Sequence, residues 1–285
     1  MTRLCLMSDL HIDLNHFGPF ELETLLFVLK REAIDHLHIA GDLANHFDQD
    51  AVPFIEELRR QLTVTYNLGN HDMLDLTEET IQAQDFQIHD IGQRKLLAFQ
   101  GWYDYSFNPE KSADKHQRFK QTFWFDRRLK RPLSDPDITR HSLERLEKIL
   151  TNLDQVPLVA MHFVPHQNFT MTHPKFTPFN AFLGSQKYHQ IFVDHQVTDV
   201  VFGHAHRSYG DQTIDGVTYH SRPLGYLREW DLTIDFVNDH PEYNPTGSWN
   251  LSKRYNAVKK LPEFQAYKRQ HLAQEFRNSM TIFEC

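Results

Sequence analysis

The stretch Thr63-Val64-Thr65-Tyr66-Asn67-Leu68-Gly69-Asn70-His71-Asp72 decides the fold. Thr63–Leu68 is rich in β-branched and aromatic residues and reads as a short strand. A glycine ends the run, and an amide, an imidazole and a carboxylate follow at once. In an open α/β sheet, ligands collect in the crevice outside the carboxyl ends of the strands. A strand that runs straight into such side chains is what that crevice requires.

The same arrangement recurs on both sides of it. Arg3–Ser8 reads as a buried strand leading into Asp9-Leu10-His11, and His36–Ala40 leads into Gly41-Asp42. Pro157–Met161 leads into His162, and Asp199–Phe202 into Gly203-His204-Ala205-His206. Amphipathic stretches lie between them. Phe20–Glu32, Ala51–Gln61, His141–Leu150 and Tyr188–His195 read as helices. Gln87–Ile91 and Lys95–Gly101 read as a strand pair, and Ile214–Ser221 and Trp230–Val237 as the last β segments. Strands separated by helices favour a layered α/β sandwich over an all-β fold.

Two stretches break the rhythm. Trp102–Pro136 is aromatic and charged, and the tail from His240 to Cys285 is polar, with a helical stretch through Leu261–Phe276. There is no repeat, low-complexity tract or Gly/Ser linker. The expectation is a domain over residues 1–239 with a cap-like insertion at about 102–136, and a C-terminal extension, 240–285, packed on the same domain.

Composition narrows the function. The 285 residues are 40% hydrophobic and 24% charged, ordinary for a globular chain. Thirty basic against thirty-eight acidic residues give a net charge of −8, which argues against nucleic acid or an anionic membrane as a partner held by net charge. The two cysteines, Cys5 and Cys285, are too few for a disulfide framework. Ser8 and Asp9 interrupt the first apolar run before it reaches signal-peptide length, and no run approaches a membrane span, so the expected location is the cytoplasm. Nineteen histidines are many, and their positions have to be weighed one by one.

Gathering the five loops at one sheet edge would assemble aspartates, an asparagine and histidines at a cost that only a cation relieves. In these residues the chain resembles the calcineurin-like metallophosphoesterases. Asp-x-His, Gly-Asp, Gly-Asn-His-Asp, His and Gly-His-x-His follow in that family's order from Asp9 to His206, about two thirds of the chain. The resemblance implies a four-layer α/β/β/α sandwich with two divalent or trivalent transition-metal ions. Asp9, His11 and His206 would hold one ion, Asn70, His162 and His204 the other, and Asp42 would bridge them. It implies hydrolysis of a phosphate ester by a metal-bridging hydroxide. His71 would protonate the leaving oxygen or stabilise its charge, and Asp72 would orient that imidazole. Imidazole and hard oxygen donors suit Mn, Fe, Zn or Co. Gly69 and Gly203 would let the backbone turn sharply beneath the metals. Two positions depart from the family pattern without removing a ligand. Asn45 stands where many members are acidic, and Met161 where many have a small residue.

Other residues carry blander readings. His38 reads as a satisfied histidine of the sheet, and His46 as a weaker pocket candidate. The run Trp102–Phe107 reads as core of the insertion rather than a stacking platform, and Arg127–Arg131 as a solvated charge run rather than a cluster that attracts a phosphorylated substrate. His166 and Arg222 are candidates for contact with a small phosphorylated substrate. Phosphomonoesterase and phosphodiesterase activities remain open, with a nuclease or nucleotide pyrophosphatase as the alternative on the same metal site. A metal-bound scaffold is the non-enzymatic alternative, and the presence of both His71 and Asp72 argues against it. No P-loop or dinucleotide-binding fingerprint occurs.

Overall fold

Alternation along the first strand, Arg3–Met7 (β1), builds the layers. Side chains on a strand point alternately to its two faces. Leu4 and Leu6 enter a small buried cluster with Ala98, Leu158, Ala160 and Val201, which lies between two sheets. Cys5 and Met7 enter the larger core that the helices cover. The computed structural model describes residues 1–285. In chain order β1 is followed by α1 (Pro19–Arg31), β2 (His36–Ala40), α2 (Val52–Arg59), β3 (Thr63–Asn67), α3 (Glu78–Ala83), β4 (Gln87–Ile91) and β5 (Arg94–Phe99). Next come α4 (Ala113–Phe123), α5 (Asp135–Asn152), β6 (Leu158–Met161), α6 (Gln186–Asp194), β7 (Asp199–Phe202), β8 (Gly210–Ile214) and β9 (Val217–Ser221). The chain ends with α7 (Asp231–Asp239), α8 (Leu251–Val258), α9 (Pro262–Asn278) and β10 (Thr281–Glu284).

One sheet has the order β10-β1-β2-β3 and the other β4-β5-β6-β7-β9-β8. Helices cover the outer faces, which gives the expected α/β/β/α sandwich. Alanines at 40, 98 and 160 keep the space between the sheets thin. His38 lies in that space, satisfied by the Thr65 hydroxyl at 2.9 Å and the Asn67 amide oxygen at 3.0 Å. The inner strands of both sheets run parallel, and antiparallel strands occur only at edges. All the parallel carboxyl ends therefore open on one side.

Several elements differ from the sequence expectation. Trp230–Val237 is helical: Leu232, Thr233, Phe236 and Val237 are buried at helical spacing. Ile214–Ser221 is the turn and second strand of a hairpin, because Asp215 and Gly216 both take positive φ in a two-residue turn. The helix expected from His141 begins at Asp135, where Ser134 caps it and Pro136 occupies its first turn. The tail also does more than pack as an extension. Its last strand, β10, pairs antiparallel with β1 along Arg3–Leu6. No helix is long and apolar enough to cross a membrane.

Candidate metal centre

The parallel strands deliver their loops to one point. Asp9 and His11 follow β1, Asp42 follows β2, Asn70 and His71 follow β3, His162 follows β6, and His204 and His206 follow β7. Asp9, His11, Asp42, His204 and His206 all hold positive φ, a conformation that is costly without a side-chain or packing reason. Gly69 and Gly203 are needed for proximity rather than for a sharp turn: a Cβ at either would overlap the Asp42 or the Asp9 carboxylate.

Two donor groups result. Asp9, His11, Asp42 and His206 bring one ligand atom each to within 4.8 Å of one another, as do Asp42, His162 and His204. Asp42 belongs to both. Its Oδ2 lies 3.4 Å from His162 Nε2 and 3.7 Å from His11 Nε2, while its Oδ1 accepts the His71 backbone N–H at 2.8 Å. Asn70 Oδ1 stands 3.1 Å from His162 Nε2. The structure thus brings together all seven residues expected as ligands.

Hydrogen bonds at the remaining atoms of four of these side chains fix the atom each presents, while His11 Nδ1 is buried without a partner. His162 Nδ1 donates to the Ala40 carbonyl at 3.1 Å, so its Nε2 faces the cluster. His204 Nε2 donates to the Phe182 carbonyl at 3.1 Å and presents Nδ1. His206 Nδ1 is held by Glu229 at 3.0 Å and presents Nε2. The Asn70 amide donates to Asp126 at 2.7 Å and presents its oxygen.

This donor set fits a cation. His11 Nε2 and His206 Nε2 are 3.0 Å apart, and His204 Nδ1 and His162 Nε2 are 3.2 Å apart, so ring nitrogens face one another around buried carboxylates. Burial opposes charge on every one of them, yet the carboxylates draw positive charge in. Beside Asp42, and against burial, His162 is pushed up to about 9. Beside Glu229 and Asp9, His206 is pushed up to about 10. Burial and the neighbouring His162 lower His204 to about 3, and burial and His71 hold His11 well below its ordinary value. Despite burial, His162, His71 and His11 hold the Asp42 carboxyl far below the carboxylate range. A buried cluster of oxygen and nitrogen donors, in which two of the imidazoles are drawn to take protons by its carboxylates, suits a transition metal, whose charge would stand in for those protons.

His71 lies at the rim of the cluster, stacked 3.7 Å from Phe125. Its orienting partner is Asn45 and not Asp72. Asn45 Oδ1 meets His71 Nδ1 at 2.9 Å, while the Asn45 amide nitrogen donates to Asp13 at 2.7 Å. Asp13 therefore sets the amide, and the amide puts a proton on Nδ1 and leaves Nε2 as an acceptor, 3.3 Å from the Tyr226 hydroxyl. Asp72 instead accepts backbone N–H groups from Asp42, Leu43, Ala44 and Gly69 and stitches two of the loops together.

The two candidate substrate contacts lie elsewhere. Arg222 is engaged by both oxygens of Asp211, at 2.6 and 2.9 Å, because the β8–β9 hairpin brings that carboxylate opposite it. His166 packs edge-on against His189 at 4.5 Å and near Phe169 and Tyr219, away from the ligands. His46 pairs with Asp75 at 2.5 Å. Sequence reasoning passed over Glu229, Tyr226, Phe125 and Asp126. Only Asn45 had a signal, its distance of three residues from Asp42.

A family model described as calcineurin-like phosphoesterase matches residues 2–208. Among solved structures, phosphopantetheinyl hydrolase from Mycobacterium tuberculosis superposes with a TM-score of 0.62 at 21% identity, covering 80% of this chain and 91% of its own. A dimetal phosphatase from Danio rerio gives 0.48 at 16% identity, with 78% and 87% covered. At these identities the likeness is one of fold. No curated protein matches.

Proposed function

We propose that this chain, which belongs to the calcineurin-like phosphoesterase family, hydrolyses a phosphate ester with two metal ions held on either side of Asp42. The observation that carries the reading is the pair of donor groups sharing that one carboxylate. Asp9, His11 and His206 would complete one set, and Asn70, His162 and His204 the other. Bound there, the ions would supply Lewis-acid charge that acidifies water and neutralises negative charge on the phosphoryl oxygens.

The protein's own groups then have definable tasks. Glu229, Asp126 and the Ala40 and Phe182 carbonyls lock the ligand side chains in the orientation that metal binding needs. His71 presents Nε2 toward the space above Asp42, at 4.0 Å from its Oδ2. Burial lowers the pKa of this ring, and an uncharged amide at Nδ1 stabilises imidazolium less than a carboxylate there would. An anionic phosphoryl group arriving beside Nε2 would favour the protonated ring, which then gives its proton to the leaving oxygen. The Tyr226 hydroxyl, within reach of Nε2, would shift to a phosphoryl oxygen. Phe125 stacked on the imidazole and Tyr226 stacked on His11 at 4.5 Å keep water from the reacting face.

The test uses purified protein stripped with a chelator and resupplied with Mn, Fe, Zn or Mg in turn. Two equivalents of a transition metal should bind, measured by elemental analysis, and restore cleavage of an aryl phosphate. Stoichiometric binding without cleavage of any ester would favour the scaffold instead.

A further inference from the structure

Two recesses open on either side of His71, and their chemistries differ. One, of about 350 Å³, lies over the candidate ligands and is walled by Phe123, Trp124, Met171 and Phe179. The other, of about 340 Å³, is lined by Asn15, Asn45, Arg128, Arg228 and Tyr255 and contains no carboxylate. His71, Phe125 and Tyr226 border both and form the partition.

The second recess runs against the character of the molecule. The chain carries a net charge of −8, yet two guanidiniums meet here without an acid in the wall. Neighbours in the same basic run are already occupied: Arg131 grips Glu78 at 2.6 and 3.1 Å, and Arg127 donates to the Trp124 carbonyl. Arg128 has no such partner and rests 5.0 Å from the Phe125 ring. Arg228 lies 4.0 Å over Tyr226, with only Glu229 Oε1 nearby at 3.4 Å. Glu229 is itself committed through Oε2 to His206 and the Tyr226 backbone. Guanidiniums stacked on the two rings of the partition are pre-ordered for a flat or trigonal anion. The first recess offers the opposite: Phe123 rests on Phe119 at 4.9 Å yet is still 61% exposed at its mouth.

Resting on the phosphoesterase reading above, we infer that the substrate is a phosphodiester with two unlike arms. One arm is apolar or aromatic and lies against Phe123, Trp124 and Phe179. The other ends in a second anionic group, a phosphate or a carboxylate, held by Arg128 and Arg228. Hydrolysis adds water across one P–O ester bond. The water oxygen stays on phosphorus, one proton ends on the leaving alkoxide, and the other goes to the new phosphomonoester or to solvent. A monoester would occupy only one recess.

The experiment compares metal-loaded enzyme on 4-nitrophenyl phosphodiesters whose second arm is 2-phosphoethyl, 2-carboxyethyl, 3-hydroxypropyl or choline, with 4-nitrophenyl phosphate as the monoester. The expected kcat/KM is at least about tenfold higher for an anionic arm than for the neutral one, and lower for choline. The better of the two anionic arms tells phosphate from carboxylate. In the Arg128→Met, Arg228→Met double variant the anionic-to-neutral ratio should fall toward one, and added salt should lower it in the wild type, since Arg128 is exposed. Calorimetric binding of 2-carboxyethyl phosphate should weaken by about tenfold in the same variant. A ratio near one, or a ratio and affinity unchanged by the double substitution, overturns the arginine subsite while leaving the hydrolase reading intact. A monoester turned over faster than every diester overturns the diester. If no ester is cleaved with any metal, the hydrolase reading fails, and the calorimetry alone then decides the subsite.

Discussion

The floor and the roof of the candidate site are built in different ways. The floor consists of residues one to four positions beyond a strand end, held by backbone N–H groups that donate to carboxylates of other loops. Asp9 accepts the His204 N–H at 3.0 Å, and Asp42 accepts that of His71. The roof comes from two distant stretches, Trp124–Arg128 and Tyr226–Glu229, which contribute side chains with no regular spacing. The segment Gly101–Ser134 is anchored by one buried carboxylate. Asp135 takes the Trp102 indole N–H at 3.0 Å and Lys120 at 2.6 Å. Geometry that recurs strand after strand is written locally, whereas a roof is written only in contacts between segments far apart in sequence.

The comparison breaks most visibly at Asp42, which the floor cannot spare. Asp42→Ala removes the carboxylate common to both donor groups. It should abolish binding of at least one metal and lower turnover by about 10³-fold or more, read by elemental analysis beside the rate. Full occupancy of both sites in that variant would refute the shared-ligand assignment.

His71 stands between floor and roof, so its loss should separate chemistry from binding. His71→Ala leaves every proposed ligand in place, and kcat should fall about 10²- to 10³-fold at unchanged metal content. An unchanged rate would remove it from the mechanism.

Asp126 joins the roof to the floor through Asn70. Asp126→Ala frees the amide to rotate, and affinity for the metal beside His162 should drop by about tenfold in a chelator competition. If affinity holds while only activity changes, the roof serves the substrate alone.

These residues also mark how far the sequence could be read. The layered fold and the meeting of seven polar side chains were legible because each motif ends a strand, and parallel strands end on one side. His38 was legible for the same reason, as a residue inside a strand rather than after one. The role of Asp72 was not, because a carboxylate beside an imidazole in sequence need not touch it. Here the backbone turn directs it to four N–H groups, and Asn45 takes the place it was expected to fill. Arg222 was misread because its partner, Asp211, becomes its neighbour only once the hairpin closes. Glu229 stands just before Trp230–Val237, a stretch whose sequence reads as a strand, and nothing in that pattern marks it as the loop residue that orients His206.

The tail offers the smallest effect and the sharpest control. Helix α9 packs on α1, where the buried Lys268 meets Glu21 at 2.7 Å, and β10 then pairs with the strand that carries Asp9 and His11. Burial works against the Glu21 carboxylate, but Lys268 and the Gly18 N–H outweigh it and hold its pKa below the ordinary 4.5. A carboxyl whose folded pKa is depressed binds its proton less readily in the folded state than in the unfolded one. The stability it lends is fully present above 4.5 and is lost as pH falls through the lower, folded value. Lys268→Met should lower stability at neutral pH by about 2 kcal/mol, because it leaves a mostly buried carboxylate without its partner. The gap from wild type should narrow in acid, as protonation of Glu21 removes what the lysine was stabilising. Denaturant unfolding at pH 7 and pH 3 measures both. With the roof untouched, kcat at neutral pH should stay near the wild-type value while the fold persists. A loss of turnover equal to that of the Asp126 variant would mean that the tail positions the site through β1, and that floor and roof are not separately built.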